Sequence, residues 1–156
     1  METIQVKPIN KQFVADNAIL LILLFISILG TGYDQKFIKI GFVVASGLFA
    51  IIILLKWWEI KSICWTITPE QLIYERGVFM KQKDFIELYR VNDFKEMQTF
   101  IQQFIGSKTV IIHSSDRSHP VLKIFGINNK SDITDIIRER VEINKQKKGV
   151  YEIANR

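Results

Sequence analysis

Hydrophobic positions follow two regimes along this chain. Up to about residue 60 they form long unbroken runs; beyond it they alternate with polar residues or recur at helical spacing. The first run, FVADNAILLILLFISILGTGY, covers residues 13–33, and the second, FIKIGFVVASGLFAIIILLKWW, covers residues 37–58. Each is about the 20 residues that a helix needs to cross a hydrocarbon layer of roughly 30 Å. A core strand is about 4 to 8 residues long and bounded by turn signals, so neither run reads as one. The charges within the runs, Asp16, Lys39 and Lys56, lie near their ends, where a lysine stem reaches the headgroups and keeps its ammonium in water. Only a short polar link around Asp34, Gln35 and Lys36 separates the runs, which predicts a helical hairpin with both ends on one side. At its exit Lys56, Trp57 and Trp58 combine a snorkelling amine with two amphipathic indoles, the composition of a membrane-interface anchor.

From Ser62 onward the period changes. SICWTIT alternates around β-branched and aromatic residues and stops at Pro69, which predicts a strand ended by a turn. QLIYERGVF places Leu72, Tyr74 and Arg76 on one strand face, and Gly77 where a bulge or tight turn carries no Cβ penalty. KDFIELYRV and FKEMQTF predict two more strands, with Phe85, Ile86, Leu88, Val91, Phe94 and Met97 as candidate core residues. IQQFIGSK predicts a brief helix closed by Gly106. TVIIHSS and HPVLKIFG predict a hairpin around the polar tip SSDRSHP. A last helix follows, capped by Ser131 or Asp132. It carries Ile133, Ile136, Ile137 and Val141 on one face, Lys145, Lys147 and Lys148 at its negative end, and Gly149 at its stop. The final VYEIANR takes no assigned place. The expected division is therefore an N-terminal tail (1–12), the hairpin (13–58), a compact domain (59–148) and a C-terminal tail (149–156). Roughly 95 residues suffice for one core of modest size.

Charge adds topology. The chain has 21 Lys plus Arg against 16 Asp plus Glu, a formal net charge of +5. Of these, 17 basic and 13 acidic residues fall in positions 56–156. Under the positive-inside rule this bias predicts a multi-pass protein of the cytoplasmic membrane with both termini cytoplasmic. A basic start followed by GTGY also fits a cleaved signal peptide, but the second apolar run so close behind favours the hairpin. A single cysteine, Cys64, cannot form an internal disulfide. The basic residues are interspersed with acids and match no nucleic-acid-binding motif, so no nucleic-acid partner is expected. Gly41, Ala45, Ser46, Gly47 and Ala50 offer small residues for close helix packing, within the hairpin or between two copies, although such residues are common in membrane helices.

Chemistry-bearing residues are few. His113, Ser114 and Asp116 lie on one hairpin tip, where neighbours point in alternating directions and do not orient a base on a nucleophile. His113, His119 and Cys64 have no metal-ligand spacing, so no metal, cofactor or catalytic residue is expected. Arg76, Lys81 and Lys83 bracket a turn, Lys81 and Lys83 fall on one strand face by period-two alternation, and the three are candidate contacts to anionic lipid headgroups, worth about 1 kcal/mol each at an acidic leaflet. Their ordinary role would be to guard a sheet edge against strand pairing.

In order, these pieces resemble a family. The T-x-E-x-L-I entry at residues 68–73, Gly77 after a charged strand and the I-x-L-x-R-V strand at 86–91 are followed by Phe104-Ile105-Gly106 before TVII and a closing INNKSDITDIIRERV helix. With the two apolar spans and the tryptophan-rich exit, the set resembles the bacterial pleckstrin-homology-like (PH-like) family of membrane proteins. The resemblance implies a transmembrane helical hairpin plus a mainly-β PH-like domain: two near-orthogonal antiparallel sheets capped by a C-terminal helix, held at the cytoplasmic face without catalytic activity. Some eukaryotic relatives of this superfold bind inositol phosphates through basic residues on the first two strands and their loop. Here that loop reads as TPEQ, without lysine or arginine. The expected function is a membrane-anchored interaction module that presents an open sheet edge, or the groove beside its last helix, to another protein or a second copy. The alternatives are an anionic-lipid-binding module or an accessory subunit of a membrane enzyme or transporter.

Overall fold

The computed structural model describes residues 2–149. Two helices leave the rest of the chain, α1 (Asn10–Gly30) and α2 (Lys36–Ser62). Their 21 and 27 residues correspond to lengths of about 31 and 40 Å. Both are long and apolar enough to cross a membrane, with mean hydropathies of 2.3 and 2.6 over their most apolar windows, and none of that window in α2 is buried. A helix of a soluble core would hide such a surface. The two pack where Gly30 meets Phe42: a Cβ on Gly30 would lie 2.4 Å from that ring. Gly41 and Gly47, in contrast, face open space, so the hairpin does not close on them. Within α1 the backbone kinks at Asn17 (φ −117°, ψ 18°). The Asn17 side-chain amide donates to the Phe13 carbonyl at 3.0 Å, a local bond that competes with the helical ladder.

The N-terminal segment, read from sequence as a tail, contains a strand. β1 (Ile4–Val6) pairs antiparallel with β2 (Cys64–Ile67), Ile4 opposite Ile67 and Val6 opposite Trp65. A three-residue strand is too short to show a period, which is why the sequence hides it. β3 (Gln71–Arg76) and β4 (Gln82–Glu87) complete a sheet of order β1-β2-β3-β4. The helical hairpin is therefore the connection between the first two strands. TPEQ, read above as that connection, joins β2 to β3 instead.

KDFIELYRV is not one strand either. β4 gives way to a single 3-10 turn at Leu88–Arg90, which hands the chain to the second sheet. That sheet has the order β5-β6-β7, from β5 (Val91–Met97), β6 (Ser107–Ser114) and β7 (Val121–Asn128), with the short helix α3 (Phe100–Ile105) between β5 and β6. The chain then forms α4 (Ile133–Lys147). Asp132 holds the N-cap position without a side-chain cap bond.

The core lies between the sheets and α4: Trp65, Ile67, Leu72 and Ile86 from the first sheet, Val110, Ile112 and Ile124 from the second, and Ile133, Ile137 and Val141 from α4. Strand alternation decides membership. Phe85 and Met97, expected in the core, fall on the outward phase and are exposed, and Ile136 is only half-buried. Trp65 is fully buried, stacked on Tyr74 at 5.7 Å and edge-on to Phe125 at 5.1 Å. The VYEIANR segment lies outside the described residues.

Candidate functional site: a basic cavity at the hairpin exit

Beyond its tryptophans α2 continues to Ser62, whose hydroxyl accepts the Gly77 amide at 3.1 Å. Gly77 has φ +111°, and a Cβ there would lie 1.8 Å from the Met80 carbonyl oxygen, so this turn requires glycine. The turn doubles the chain back and sets Arg76, at the end of β3, near Lys81, the residue before β4. Its apolar tip, Phe79 and Met80, is 84% and 86% exposed.

Between this turn, β1 and the end of α2 lies a cavity of about 320 Å³ lined by Lys7, Lys61, Arg76, Lys81, Lys83 and Glu75. Among the described residues one of its five cations is neutralised within it: Lys83 bonds Glu75 at 2.7 Å, across the register that pairs the two residues. Arg76 donates to the neutral Gln82 Oε1 at 3.1 and 3.3 Å and lies over the Tyr74 ring. Lys61 donates to Asn10 Oδ1 at 2.6 Å, with its ammonium 4.9 Å from the Trp57 ring centroid. Lys7 and Lys81 have no partner among the described residues. Four positive charges thus converge uncompensated on a concave surface, which focuses attraction on anions.

The three residues singled out from sequence, Arg76, Lys81 and Lys83, come together here. Lys81 precedes β4 rather than sharing a strand face with Lys83. Lys7 and Lys61 were missed. Pairing of Val6 with Trp65 is what carries Lys7 to the first sheet's edge, so these two become visible only once β1 is recognised.

The expected anchor residues sit just before this cavity. Lys56 bonds Glu59 at 3.0 Å, Trp58 is half-exposed, and Trp57 meets the Phe13 ring edge-on at 5.0 Å. The base of α1 is docked on the second sheet. Ile9 donates its amide to Gly126 O at 2.8 Å, and the buried Gln12 Oε1 accepts from Ser107 Oγ at 3.0 Å and Gln102 Nε2 at 3.2 Å. The hairpin is therefore tied to both sheets.

Other polar clusters serve local structure. At the β6–β7 tip, Ser114 Oγ donates to His119 O at 2.6 Å, so it faces no base. Asp116 accepts the Ser118 amide and the Arg90 guanidinium, both at 2.9 Å, which together hold its carboxyl below the usual range. His119 Nε2 approaches Asp84 Oδ1 at 3.3 Å. No group of His, Cys, Asp and Glu suited to a metal ion occurs among the described residues. Beside α4, a groove of about 390 Å³ runs along the β5 edge, lined by Phe94, Glu96, Lys108 and Arg138. Two of its charges are engaged with each other: Thr134 donates its hydroxyl to Glu96, and Lys108 bonds Glu96 at 2.9 Å. Those two donors keep the Glu96 carboxyl below its ordinary range.

Comparison with curated proteins and with solved structures gives no match. The model of a family described as Bacterial PH domain matches residues 14–141. That stretch takes in α1 from Val14 onward, all of α2, the strands β2 to β7 and the apolar face of α4. The chain belongs to the bacterial PH-domain family and, like it, is a non-catalytic interaction module.

Proposed function

We propose that this protein is anchored in the membrane by α1 and α2, and that its basic cavity holds anionic lipid headgroups of the leaflet from which the hairpin enters. The observation that carries the reading is the place of the four uncompensated cations. Lys61 follows Trp57 by four residues, about 6 Å along the helix axis. Tryptophans favour the membrane–water interface, so a cavity one turn beyond them lies at headgroup level. The exposed Phe79 and Met80 on its rim suit the same layer. Two of the cations also occupy the region that the resemblance associates with anionic ligands, because the connection between the first two strands is the hairpin, and Lys7 and Lys61 stand at its two ends. At about 1 kcal/mol per charge near an acidic leaflet, four such residues supply about 4 kcal/mol. Such attraction weakens as salt is added. The charge bias of the chain supports cytoplasmic termini, and hence the cytoplasmic leaflet.

The rival reading, a protein strand added to β5 beside α4, draws support from the free edge of that strand. It ranks second because Lys108 and Glu96, the charged pair of that groove on β6 and β5, already bind each other.

The test uses the full chain in nanodiscs of phosphatidylcholine with and without phosphatidylglycerol, followed by gentle detergent extraction and native mass spectrometry. The wild-type protein is expected to retain phosphatidylglycerol in preference to phosphatidylcholine, and the double variant Arg76→Gln/Lys81→Gln to lose that preference. Equal retention of both lipids by the wild-type protein would overturn the lipid reading. An unchanged preference in the variant would remove the cavity from it.

A further inference from the structure

α3 is built inside out. Its Phe100 and Phe104 are 74% and 78% exposed and Ile101 is 41% exposed, whereas Gln102 is 3% exposed. A short helix on a soluble domain buries the first three and shows the glutamine. The arrangement is enforced. Thr99 and Gln102 form a reciprocal capping box, and Gly106 closes the helix with φ +69°. Gln102 also donates to Thr109 Oγ1 at 2.9 Å and to Gln12 Oε1 at 3.2 Å.

The last bond sets the level of α3 against the hairpin. Gln12 adjoins Phe13, the residue whose ring meets Trp57 at 5.0 Å. Direction follows from a cavity of about 660 Å³ whose walls include Phe100 and Ile101 together with Ala15 and Asp16. Ala15 and Asp16 lie about one turn further into α1 than Gln12, roughly 5 Å along the axis. Met97, Thr109, Lys123 and Phe125 of β5, β6 and β7 line the same cavity, so Phe100 and Ile101 stand in the angle between α1 and the second sheet, with most of the Phe100 and Phe104 rings open to the outside.

We propose that α3 is a second, interfacial membrane contact, with Phe100, Ile101 and Phe104 immersed at the headgroup–acyl boundary of the leaflet that α1 enters. The proposal rests on the membrane reading of α1 and α2. The occupant is the bilayer because α3 lies directly against α1, through the Gln102–Gln12 bond and the cavity that Phe100 and Ile101 share with Ala15 and Asp16, and an exposed apolar patch beside an interfacial tryptophan matches an amphipathic helix lying in the interface plane. α3 and the basic cavity then hold the domain to the membrane at two separate points.

Depth-resolved quenching tests this. In the full chain with Cys64→Ser, single cysteines are introduced by Phe104→Cys, Leu48→Cys or Arg117→Cys, all at exposed positions, and labelled with an environment-sensitive fluorophore in nanodiscs. The lipids carry a quencher either near the headgroup or near the acyl terminus. The label at 104 is expected to lose most of its emission to the shallow quencher, the label at 48 to the deep one, and the label at 117 to neither. Position 117 lies past the far end of β6, about 23 Å from Ser107. Emission unchanged at 104 beside quenching at 48 would overturn the α3 proposal and leave the membrane reading intact. Emission unchanged at 48 would overturn both. A spectral shift at 104 that disappears on dilution into more lipid would assign the patch to a second copy and overturn the proposal as well.

Discussion

Arg140 is 4% exposed and makes three bonds to backbone carbonyls: Ile67 O at 2.7 Å, Thr68 O at 3.1 Å and Glu2 O at 2.6 Å. One guanidinium thereby joins α4 to the end of β2 and to the chain preceding β1. Asn144, one turn on, adds a bond to Pro69 O at 2.7 Å. Bonds from a charged donor are worth about 1.5–3 kcal/mol each, and their removal strands buried acceptors. Arg140→Met should therefore cost at least about 3 kcal/mol, read as faster amide hydrogen exchange in β1 and β2 of the detergent-solubilised protein. Arg140→Lys should recover only part of that protection, because an ammonium lacks the planar fork that reaches two carbonyl groups and a third together. Unchanged exchange in both variants would show that α4 is held by its isoleucines alone. The position of Arg140 is legible in sequence, since the phase of Ile133, Ile137 and Val141 carries residues 140 and 144 onto the same helix face. Its destination is not legible, because the carbonyls it meets belong to the end of β2, to the turn after it and to the residues ahead of a strand only three residues long.

Among the elements, the base of α1 approaches β7 closely. Gly126 has φ +68°, and a Cβ there would lie 2.7 Å from Gln12 Cγ and 3.2 Å from Pro8 Cβ. Glycine is required twice over, by its own backbone and by its neighbours. Gly126→Ala should add about 1–2 kcal/mol of left-handed strain and also push Gln12 out of its bonds with Gln102 and Ser107. Hydrogen exchange is expected to quicken at Ile9 and in α3 while β3 and β4 keep their protection. Gly149 makes a fitting control, with a similar φ of +65° but nothing within 4 Å of an added Cβ; Gly149→Ala should cost the strain alone. Equal effects of the two substitutions would show that the docking of α1 on β7 contributes nothing. α3 itself was legible from its Gly106 stop, and the β6–β7 hairpin from its polar tip. The outward phase of Phe85 and Met97 was not, because alternation fixes which residues share a face and leaves open which face meets the core.

For the whole molecule, the decisive feature is that the hairpin is an insertion between β1 and β2 and not an appendage in front of the domain. The change from long apolar runs to strand alternation is plain in the sequence; the strand that precedes the runs is not, since its partner lies some sixty residues away across both helices. Because Val6 pairs with Trp65, residues 7 and 64 are neighbours, and a turn of two to four residues can join them as in an ordinary hairpin. A shortened protein in which such a turn replaces residues 8–62 should therefore fold without a membrane, with seven strands and α4 in place. The simple truncation 63–149 should be less stable, because it lacks β1, whose Ile4 and Val6 pack against the core, and the Glu2 carbonyl bound by Arg140. Partial burial of two aliphatic side chains and one charged hydrogen bond together give an expected deficit of about 3 kcal/mol, measured as a lower urea midpoint. If the two shortened proteins unfolded at the same urea concentration, β1 would be a passive edge, and the hairpin could be regarded as preceding the domain after all.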